Sequence, residues 1–398
     1  MMNGLPKVCF ISFLFMESLL GWSDSECSRF QAVVIDDSFP GAYQSAFADI
    51  NNDGKLDIAA LGEGASGVFW YENPSWKRRP ICTDGLQGFI DFDFYDLDGD
   101  GDLEAVIASD FNLGKTDAGG TISWLNRRDD LDQPWSIHFI HAEPTTHRLR
   151  WVELEGESHK RLIAAPMAGP GSSGPDFKQS PVRLLAFSIP AESRKEAWRF
   201  EVIDHSLHLL HGLMVRSNEI YTASLEGVTQ FSWRDKRWIR QTITAGLQDP
   251  DNRSGSSEIA AGSWKKGEPF WATIDPWHGN QVAVYAHASA QKERLQRHVI
   301  DDSFVAGHAL ACADFDQDGD DEVIAGFRGE GHCIYYYDFV KDPEELWRRS
   351  KISGDVAVQG LAIADVDDDG WLDFIAAGGS THNVILYKNC GGAHSSSP

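Results

Sequence analysis

Short apolar segments recur along this chain, each about four to seven residues long and bounded by Gly, Asn or Asp. Segments of that length, rich in β-branched and aromatic residues, indicate β-strands and not amphipathic helices. One phrase, VIDDSF, occurs at 34–39 and again at 299–304, and VIDHSL at 202–207 is a variant of it. Recurrence with a period of about 45–60 residues predicts a repeat architecture.

Four kinds of segment alternate in a constant order. The second kind is Ala-rich and β-branched, the third is aromatic, and the fourth often begins with Trp and basic residues. The first kind is small and apolar and leads into an acidic loop, as at 45–57, 92–104, 310–322 and 361–373. Degenerate copies bring the total to seven units.

One unit is split between the two ends of the chain. The chain opens on a segment of the fourth kind (30–35) and ends on one of the third kind (384–389). A ring of four-stranded blades closes in this way, because the N-terminal strand completes the last blade and hides its edge. We therefore expect an all-β, seven-bladed β-propeller of four-stranded antiparallel blades over residues 24–390, with a β-solenoid as the structural alternative.

The first residues differ from the repeats. Lys7 precedes a mostly apolar run at 8–20 that is too short to span a bilayer, and the small residues Gly21 and Ser23 follow it. This pattern predicts a signal peptide over 1–23 and a secreted, periplasmic or extracellular protein. No other stretch is apolar enough for a membrane span, and 391–398 is expected to be a disordered tail.

Two of the cysteines flank the strands that close the ring. Cys27 precedes the closing fourth strand, and Cys390 follows the third strand of the same blade, so antiparallel pairing brings them together. In an oxidising compartment we expect a disulfide there, with two free thiols as the alternative. Cys312 and Cys333 lie on strands separated by a third and are expected to be free.

Four loops share one spacing of oxygen-bearing residues, with Gly after the third of them. Alternate oxygens in a tight turn, closed by a further carboxylate, suit a hard cation such as calcium. Asx-type turns without an ion are the alternative. The expected ligands of these four structural sites are Asp49, Asn51, Asp53 and Asp57; Asp96, Asp98, Asp100 and Glu104; Asp314, Asp316, Asp318 and Glu322; and Asp365, Asp367, Asp369 and Asp373.

These loops change the meaning of the net charge. The chain has 35 Lys and Arg against 60 Asp and Glu, a formal charge of -25, which argues against a nucleic-acid partner or an anionic membrane surface. Fifteen of the 60 acidic residues are expected ligands in the four loops. Much of the acidity therefore represents ion ligands and not a surface for a basic partner.

Beyond the loops, the sequence resembles two known kinds of repeat protein. The four DxDxDG or DxNxDG loops resemble FG-GAP/VCBS repeats, as in integrin alpha chains and secreted bacterial proteins. Phrases such as VIDDSFPGAYQ (34–44), PTTHRLRW (144–151), PWHGNQVAVY (276–285) and GHALACAD (307–314) resemble the propeller domain of the aldos-2-ulose dehydratase family. That resemblance implies a sugar-modifying lyase, in whose family the propeller accompanies cupin domains.

The repeat register predicts a polar cluster in the channel. First strands line the channel of a propeller, so the residue six before the first loop acid is equivalent in every blade. The equivalent residues are Tyr43, Ile90, His147, His211, Ser257, His308 and Gln359. Four further polar residues are expected near them: Arg148, Glu258, His278 and Arg328.

Three imidazoles at one end of a channel suit a divalent transition metal or acid–base chemistry. His147, His211 and His308 are candidate ligands or bases, Arg148 a candidate for binding an enolate oxygen, and Tyr43 a candidate proton donor. Glu258 and His278 complete the set of seven candidate catalytic residues. Ordinary structural hydrogen bonding is the alternative. The aromatic third strands, in contrast, are expected to be inter-blade core and not a sugar platform.

Two functions are compatible with these patterns. The first is an enzyme that acts on a carbohydrate or sugar-derived small molecule as a carbon–oxygen lyase, by His-centred proton abstraction at the channel mouth. The second is a non-catalytic propeller that binds a glycan or an extracellular protein, since the fold alone cannot choose between them. The sequence has no nucleophile elbow, phosphate-binding glycine loop or HExxH motif.

Overall fold

The computed structural model describes residues 25–63, 67–248, 254–264, 267–288, 291–340 and 347–391. The predicted signal peptide at 1–23 lies outside the described residues, as does the predicted tail apart from Gly391. Among the residues described, we find no helix with the length and apolarity that crossing a membrane requires.

All the regular elements of this part of the chain are β-strands. In chain order they are β1 Ser25–Glu26, β2 Phe30–Asp36, β3 Ala42–Ala48, β4 Asp57–Gly62, β5 Val68–Glu72, β6 Lys77–Cys82, β7 Asp91–Tyr95, β8 Glu104–Ser109, β9 Thr121–Asn126, β10 Ser136–Ala142, β11 Thr146–Val152, β12 Arg161–Pro166, β13 Leu184–Ser188, β14 Arg199–Asp204, β15 Gly212–Arg216, β16 Glu219–Ser224, β17 Gly227–Arg234, β18 Arg237–Thr244, β19 Glu258–Ser263, β20 Pro269–Asp275, β21 Gln281–Ala288, β22 Gln291–Asp301, β23 Gly307–Ala313, β24 Glu322–Phe327, β25 Cys333–Phe339, β26 Trp347–Ser353, β27 Val358–Ala364, β28 Asp373–Gly378 and β29 Asn383–Asn389.

The strands form seven antiparallel meanders, which are the seven blades. Blades one to six are β3–β6, β7–β10, β11–β14, β15–β18, β19–β22 and β23–β26, and blade seven is β27–β29 with β2. The first strands of successive blades contact one another around the centre, and β27 of blade seven contacts β3 of blade one. The ring is therefore closed, and the predicted seven-bladed propeller is confirmed.

The N-terminal segment ties the last two blades together. Strand β2 pairs antiparallel with β29, with Phe30 opposite Asn389, so it supplies the fourth strand of blade seven as expected. The two-residue strand β1 pairs in parallel with β26 and adds a fifth strand to blade six, which the repeat pattern did not predict.

The expected Cys27–Cys390 disulfide is wrong for this structure, in which both residues are free thiols. The register explains the difference. The Cys390 N–H donates to the carbonyl of Arg29, so Arg29 and not Cys27 lies opposite Cys390. Cys27 is held two residues away, where its N–H donates to Lys351 of blade six. Neither Cys312 nor Cys333 forms a disulfide among the described residues, as predicted.

The aromatic third strands form the core between blades, as the sequence predicted. Neighbouring blades bury their facing sides in apolar clusters, because each face of a sheet must be covered. Seven third-strand aromatic side chains that were expected in this core are buried: Trp70, Tyr71, Trp124, Tyr335, Tyr336, Tyr337 and Tyr387.

The recurring VIDDS phrase has a structural role at the seams between blades. At the end of blade five, Asp301 Oδ1 accepts hydrogen bonds from the N–H and Oγ of Ser303 in its own turn. Its Oδ2 accepts hydrogen bonds from Tyr337 Oη at 2.7 Å and Arg349 Nη1 at 2.8 Å in blade six. We call this arrangement the clasp, since one carboxylate both shapes its turn and binds the next blade.

The clasp occurs at two other seams. Asp36 of blade seven accepts a hydrogen bond from Tyr71 Oη of blade one at 2.6 Å. Asp204 of blade three lies 3.4 Å from Arg240 Nε of blade four. Each aspartate occupies the same place, at the bulge where the outer strand leaves its partner. The repeated phrase therefore reflects a repeated inter-blade contact.

Removal of the cation from one clasp should lower the free energy of unfolding of the protein. Arg349→Met leaves the buried Asp301 carboxylate without its cation, and we expect the free energy of unfolding to fall by about 3 kcal/mol. The neighbouring Arg348 pairs with Asp338 but has a side chain that is 63% exposed, so Arg348→Met should cost less than about 1 kcal/mol. Equal losses in denaturant titrations of the two variants would contradict the role of the clasp.

Candidate active site in the central channel

The seven register positions lie at or just before the start of the first strands, at one end of the channel. The structure brings together all seven predicted catalytic residues, which are Tyr43, His147, Arg148, His211, Glu258, His278 and His308. Ile90 contributes only apolar packing, and Ser257 and Gln359 contribute hydrogen-bond acceptors. We call this group the channel cluster.

Tyr43 stands between two of the imidazoles. Its Oη lies 2.9 Å from His147 Nε2 and 3.4 Å from His308 Nε2. Arg148 Nη1 also lies 3.1 Å from His147 Nε2. With Nε2 of His147 accepting hydrogen bonds, the ring hydrogen is on Nδ1, which is buried and has no partner among the described residues.

The other three histidines form a second group. The ring nitrogens of His211, His278 and His308 lie within 4.8 Å of one another. His211 Nδ1 donates to the Ser257 carbonyl at 3.2 Å, and His308 Nδ1 donates to the Gln359 carbonyl at 2.5 Å. Both rings therefore present the lone pair of Nε2 to the centre of the channel. An Nδ1–H bonded to a carbonyl is also the usual arrangement behind a metal-ligating Nε2.

His278 has the opposite tautomer. Its Nδ1 accepts a hydrogen bond from Arg328 Nη2 at 3.0 Å, so Nε2 carries the hydrogen and donates to His211 Nε2, also at 3.0 Å. His278 has a left-handed backbone (φ 46°), and its ring stacks on Trp277 at 4.5 Å between centroids. To ligate a metal through Nε2, the His278 ring must release Arg328.

Charged groups surround the imidazoles. Arg148 Nη2 lies 3.6 Å from Glu258 Oε1, which is 2.7 Å from His211 Nδ1. Arg328 donates from Nη1 to the side chain of Gln359 at 2.7 Å. Two guanidinium groups thus face the cluster against one carboxylate, a balance that suits an oxygen on which negative charge develops.

Burial determines the protonation states of the cluster. Loss of solvation, reinforced by nearby guanidinium groups, holds the pKa of His147, His211 and His308 well below the ordinary histidine value. These rings are neutral at pH 7 and can accept protons or bind a metal. Burial also raises the pKa of Tyr43 above its ordinary value, so its hydroxyl keeps its hydrogen. Burial raises the pKa of Glu258 to about 7.

A cavity of about 380 Å³ reaches the cluster along the channel, and Arg148, Glu258 and His308 are among its lining residues. On the opposite side, apolar loop residues such as Met167 and Phe177 form a cover, which contacts the cluster through Phe111 and Trp277. The cluster is therefore buried under loops, and not at an open mouth as the sequence suggested. These loops lie outside the repeat register, so no sequence signal indicated the cover.

The four acidic loops connect first to second strands at the other end of the channel. In the blade-six loop all four expected ligands, Asp314, Asp316, Asp318 and Glu322, have a carboxylate oxygen within 4.8 Å of the others. In two further loops three of the four expected ligands converge in this way, and Asp100 and Asp369 lie outside the groups: Asp96, Asp98 and Glu104, and Asp365, Asp367 and Asp373. In the blade-one loop, which contains Asn51, Asp49 accepts hydrogen bonds from the N–H groups of Asp53 and Gly54. Gly54 has a φ of 83°, the left-handed backbone that favours glycine.

The last acid of each loop is buried and caps backbone amides. Glu322 accepts from the Phe315 N–H and Asp57 from the Ile50 N–H. Burial and repulsion from Asp316 raise the pKa of Glu322 to about 8. Like charges this close repel one another unless a proton or a cation offsets them.

Fold and cluster together define a β-propeller with a buried polar site in its channel. Residues 119–288 match the family model described as the aldos-2-ulose dehydratase beta-propeller domain, and residues 49–107 match an FG-GAP-like repeat. The aldos-2-ulose dehydratase of Phanerodontia chrysosporium is 24% identical to this chain over 341 residues. Both resemblances inferred from the sequence are thereby confirmed.

That alignment covers 75% of this chain but 36% of the dehydratase, so the chain spans about a third of the length of its curated relative. The solved structure of YCF48 bound to D1 peptide is 13% identical, with a TM-score of 0.53 over 94% of this chain and 100% of that one. At this identity the likeness concerns the fold alone.

The hydrogen bonds predict which ring nitrogen carries the hydrogen in each histidine. In metal-free protein, NMR of isotope-labelled histidine should find the hydrogen of His211 and His308 on Nδ1 and that of His278 on Nε2. Arg328→Met removes the donor to His278 and should release its tautomer, while His308 keeps its own. A hydrogen on Nε2 of His211 would contradict the chain of bonds.

Proposed function

We propose that this chain is a carbohydrate-active propeller that eliminates water from a keto sugar in its central channel. The observation that carries the proposal is the channel cluster, in which neutral imidazoles, a protonated phenol and two guanidinium groups converge beside a cavity. The similarity to an aldos-2-ulose dehydratase supports a sugar-derived substrate.

Elimination needs a base for a carbon-bound proton, a stabiliser for the enolate and an acid for the leaving hydroxyl. His147 is the proposed base and Tyr43 the proposed acid, since Tyr43 Oη and His147 Nε2 are 2.9 Å apart. The C–H and C–O bonds break, a C=C bond forms, and the Tyr43 hydrogen leaves with the hydroxyl as water. The protonated His147 then returns its proton to Tyr43, which restores both groups.

Arg148 links the cavity to the base. Its guanidinium lies beside both the cavity and His147 Nε2, so turning toward a substrate oxygen would expose that nitrogen. Its charge would stabilise the enolate oxygen, and Arg328 supplies a second cation on the other side of the cluster.

His211, His308 and His278 fit a divalent transition metal. The first two already present Nε2 lone pairs, and the third joins them once its ring releases Arg328. The sequence grouped His147 with His211 and His308, but His278 is the third member of the compact group. A bound metal would polarise the carbonyl oxygen next to the proton that is removed.

Variants of the cluster test the enzymatic proposal. With an aldos-2-ulose as substrate, formation of a conjugated enone is followed by ultraviolet absorbance. His147→Ala and Tyr43→Phe should each lower kcat by about 10²–10⁴-fold, because each removes one partner of the proton transfer. The exposed His205→Ala is the matched control and should retain activity.

Melting temperatures near that of the wild type would show that the cluster variants fold. A divalent metal that co-purifies with the wild type and is lost from His211→Ala supports the ligand set. Absence of turnover in the wild type across 2-keto sugars would instead favour the alternative, a non-catalytic glycan- or protein-binding propeller.

We further propose that the four acidic loops bind structural calcium in a secreted protein. Each loop provides alternate oxygens, a left-handed glycine and a buried closing carboxylate, which suits an oxygen-rich calcium site. In three of the loops the carboxylate oxygens also converge. The apolar N-terminal segment supports secretion.

Removal of calcium should destabilise the ring. A chelator should lower the melting temperature by several degrees, since each site at 100 times its Kd contributes about 2.7 kcal/mol. Asp316→Ala should reduce the bound calcium by one ion, whereas Asp235→Ala, in an exposed turn, should not. A melting temperature that is unchanged by chelator would leave the loops as ion-free turns.

A further inference from the structure

The seam between blades four and five contains a groove that the channel chemistry does not use. Its volume is about 890 Å³, larger than the channel cavity of about 380 Å³. It lies between the outer strand β18 of blade four and strands β20–β22 of blade five. The groove is thus on the flank of the ring, away from the channel cluster.

Two features explain why this seam is open. At the bulge position that holds Asp36, Asp204 or Asp301 elsewhere, blade four has Thr244. The buried apolar cluster of this seam has only four members, against fourteen between blades five and six. This seam therefore has neither the clasp nor the large apolar cluster of the seam between blades five and six, and the groove lies in the space that remains.

Three side chains of blade five form one wall of the groove. Trp271, Tyr285 and Arg297 lie side by side on adjacent strands, because Trp271 pairs with Tyr285 and Tyr285 with Arg297. The Trp271 ring is half-buried and packs with Ile243 against the small apolar cluster. The opposite wall carries polar side chains from β18, including the exposed Gln241 and Thr242.

The wall is rigid and electrically balanced. Asp275 Oδ2 accepts hydrogen bonds from Tyr285 Oη at 2.8 Å and Arg297 Nε at 3.0 Å. Arg297 Nη2 also donates to Gln281 at 2.7 Å. The positive charge of Arg297 is matched by the buried Asp275 carboxylate. The wall therefore has polar groups in fixed positions but no net positive charge that would attract an anion.

We propose that this groove is a second binding site, which takes a neutral saccharide stacked on Trp271. An aromatic face flanked by a few fixed polar groups is the arrangement that orients a small, partly apolar ligand. A sugar ring has such a character, with an apolar face of C–H groups and hydroxyls around its edge. This site is independent of elimination in the channel.

Titration with defined sugars tests the site. The probes are cellotriose, maltotriose, laminaritriose and chitotriose, with binding followed by tryptophan fluorescence and saturation-transfer NMR on the full chain. At least one should bind saturably, and Trp271→Ala should weaken it about tenfold or more. Trp238→Ala is the matched control, since Trp238 is a half-buried tryptophan at another seam, where its ring makes an edge contact with Trp233.

Further variants separate this site from the channel and from misfolding. Gln241→Trp changes an exposed position and should block the groove even if Trp271→Ala fails to fold. His211→Ala alters the channel and should leave binding of the trisaccharide within about twofold of wild type. The proposal is overturned if no neutral trisaccharide binds, if binding survives both groove variants, or if trigalacturonate binds there more tightly than every neutral probe.

Discussion

The structure depends on closure of the ring by main-chain hydrogen bonds between β2 and β29. A blade is a sheet with two apolar faces, and each face is shielded from water only where a neighbouring blade packs on it. Seven blades satisfy that requirement only when the last one reaches the first. The pairing of Phe30 with Asn389 therefore supports seams far from it, since an open ring would expose two faces to water.

Closure also creates the chemistry of the channel. The first strands meet around the axis and carry their early residues into a space with little water. Histidines there lose the solvation that a positive charge requires, and so they stay neutral beside two arginines. The same packing that stabilises the ring thus prepares bases, ligands and a proton donor within hydrogen-bond distance. Fold and candidate site have one physical cause.

Much of this arrangement could be predicted, because a sequence repeat shows which residues occupy equivalent positions in different blades. The acidic loops placed Tyr43, His147, His211 and His308 at one level, and the structure brings these four together. His278 was expected nearby, but its loop lies outside the repeat, so its place between Arg328 and His211 was not predictable. The expected disulfide was wrong because a two-residue error in register moves Cys27 onto the neighbouring blade. The VIDDS phrase located the repeats without showing its structural role, because its aspartates bind side chains of the next blade and the repeat pattern does not show contacts between blades.

The strand that closes the ring is made well before the strand with which it pairs. Strand β2 leaves the ribosome long before β29, because the chain between Asp36 and Asn383 is synthesised in the interval. At about 5–20 residues per second, the early strand waits for tens of seconds without its partner. During that time its edge is open to pairing with other chains. Synthesis thus delivers β2 long before its partner β29 is available, and correct assembly requires β2 to stay unpaired during that interval.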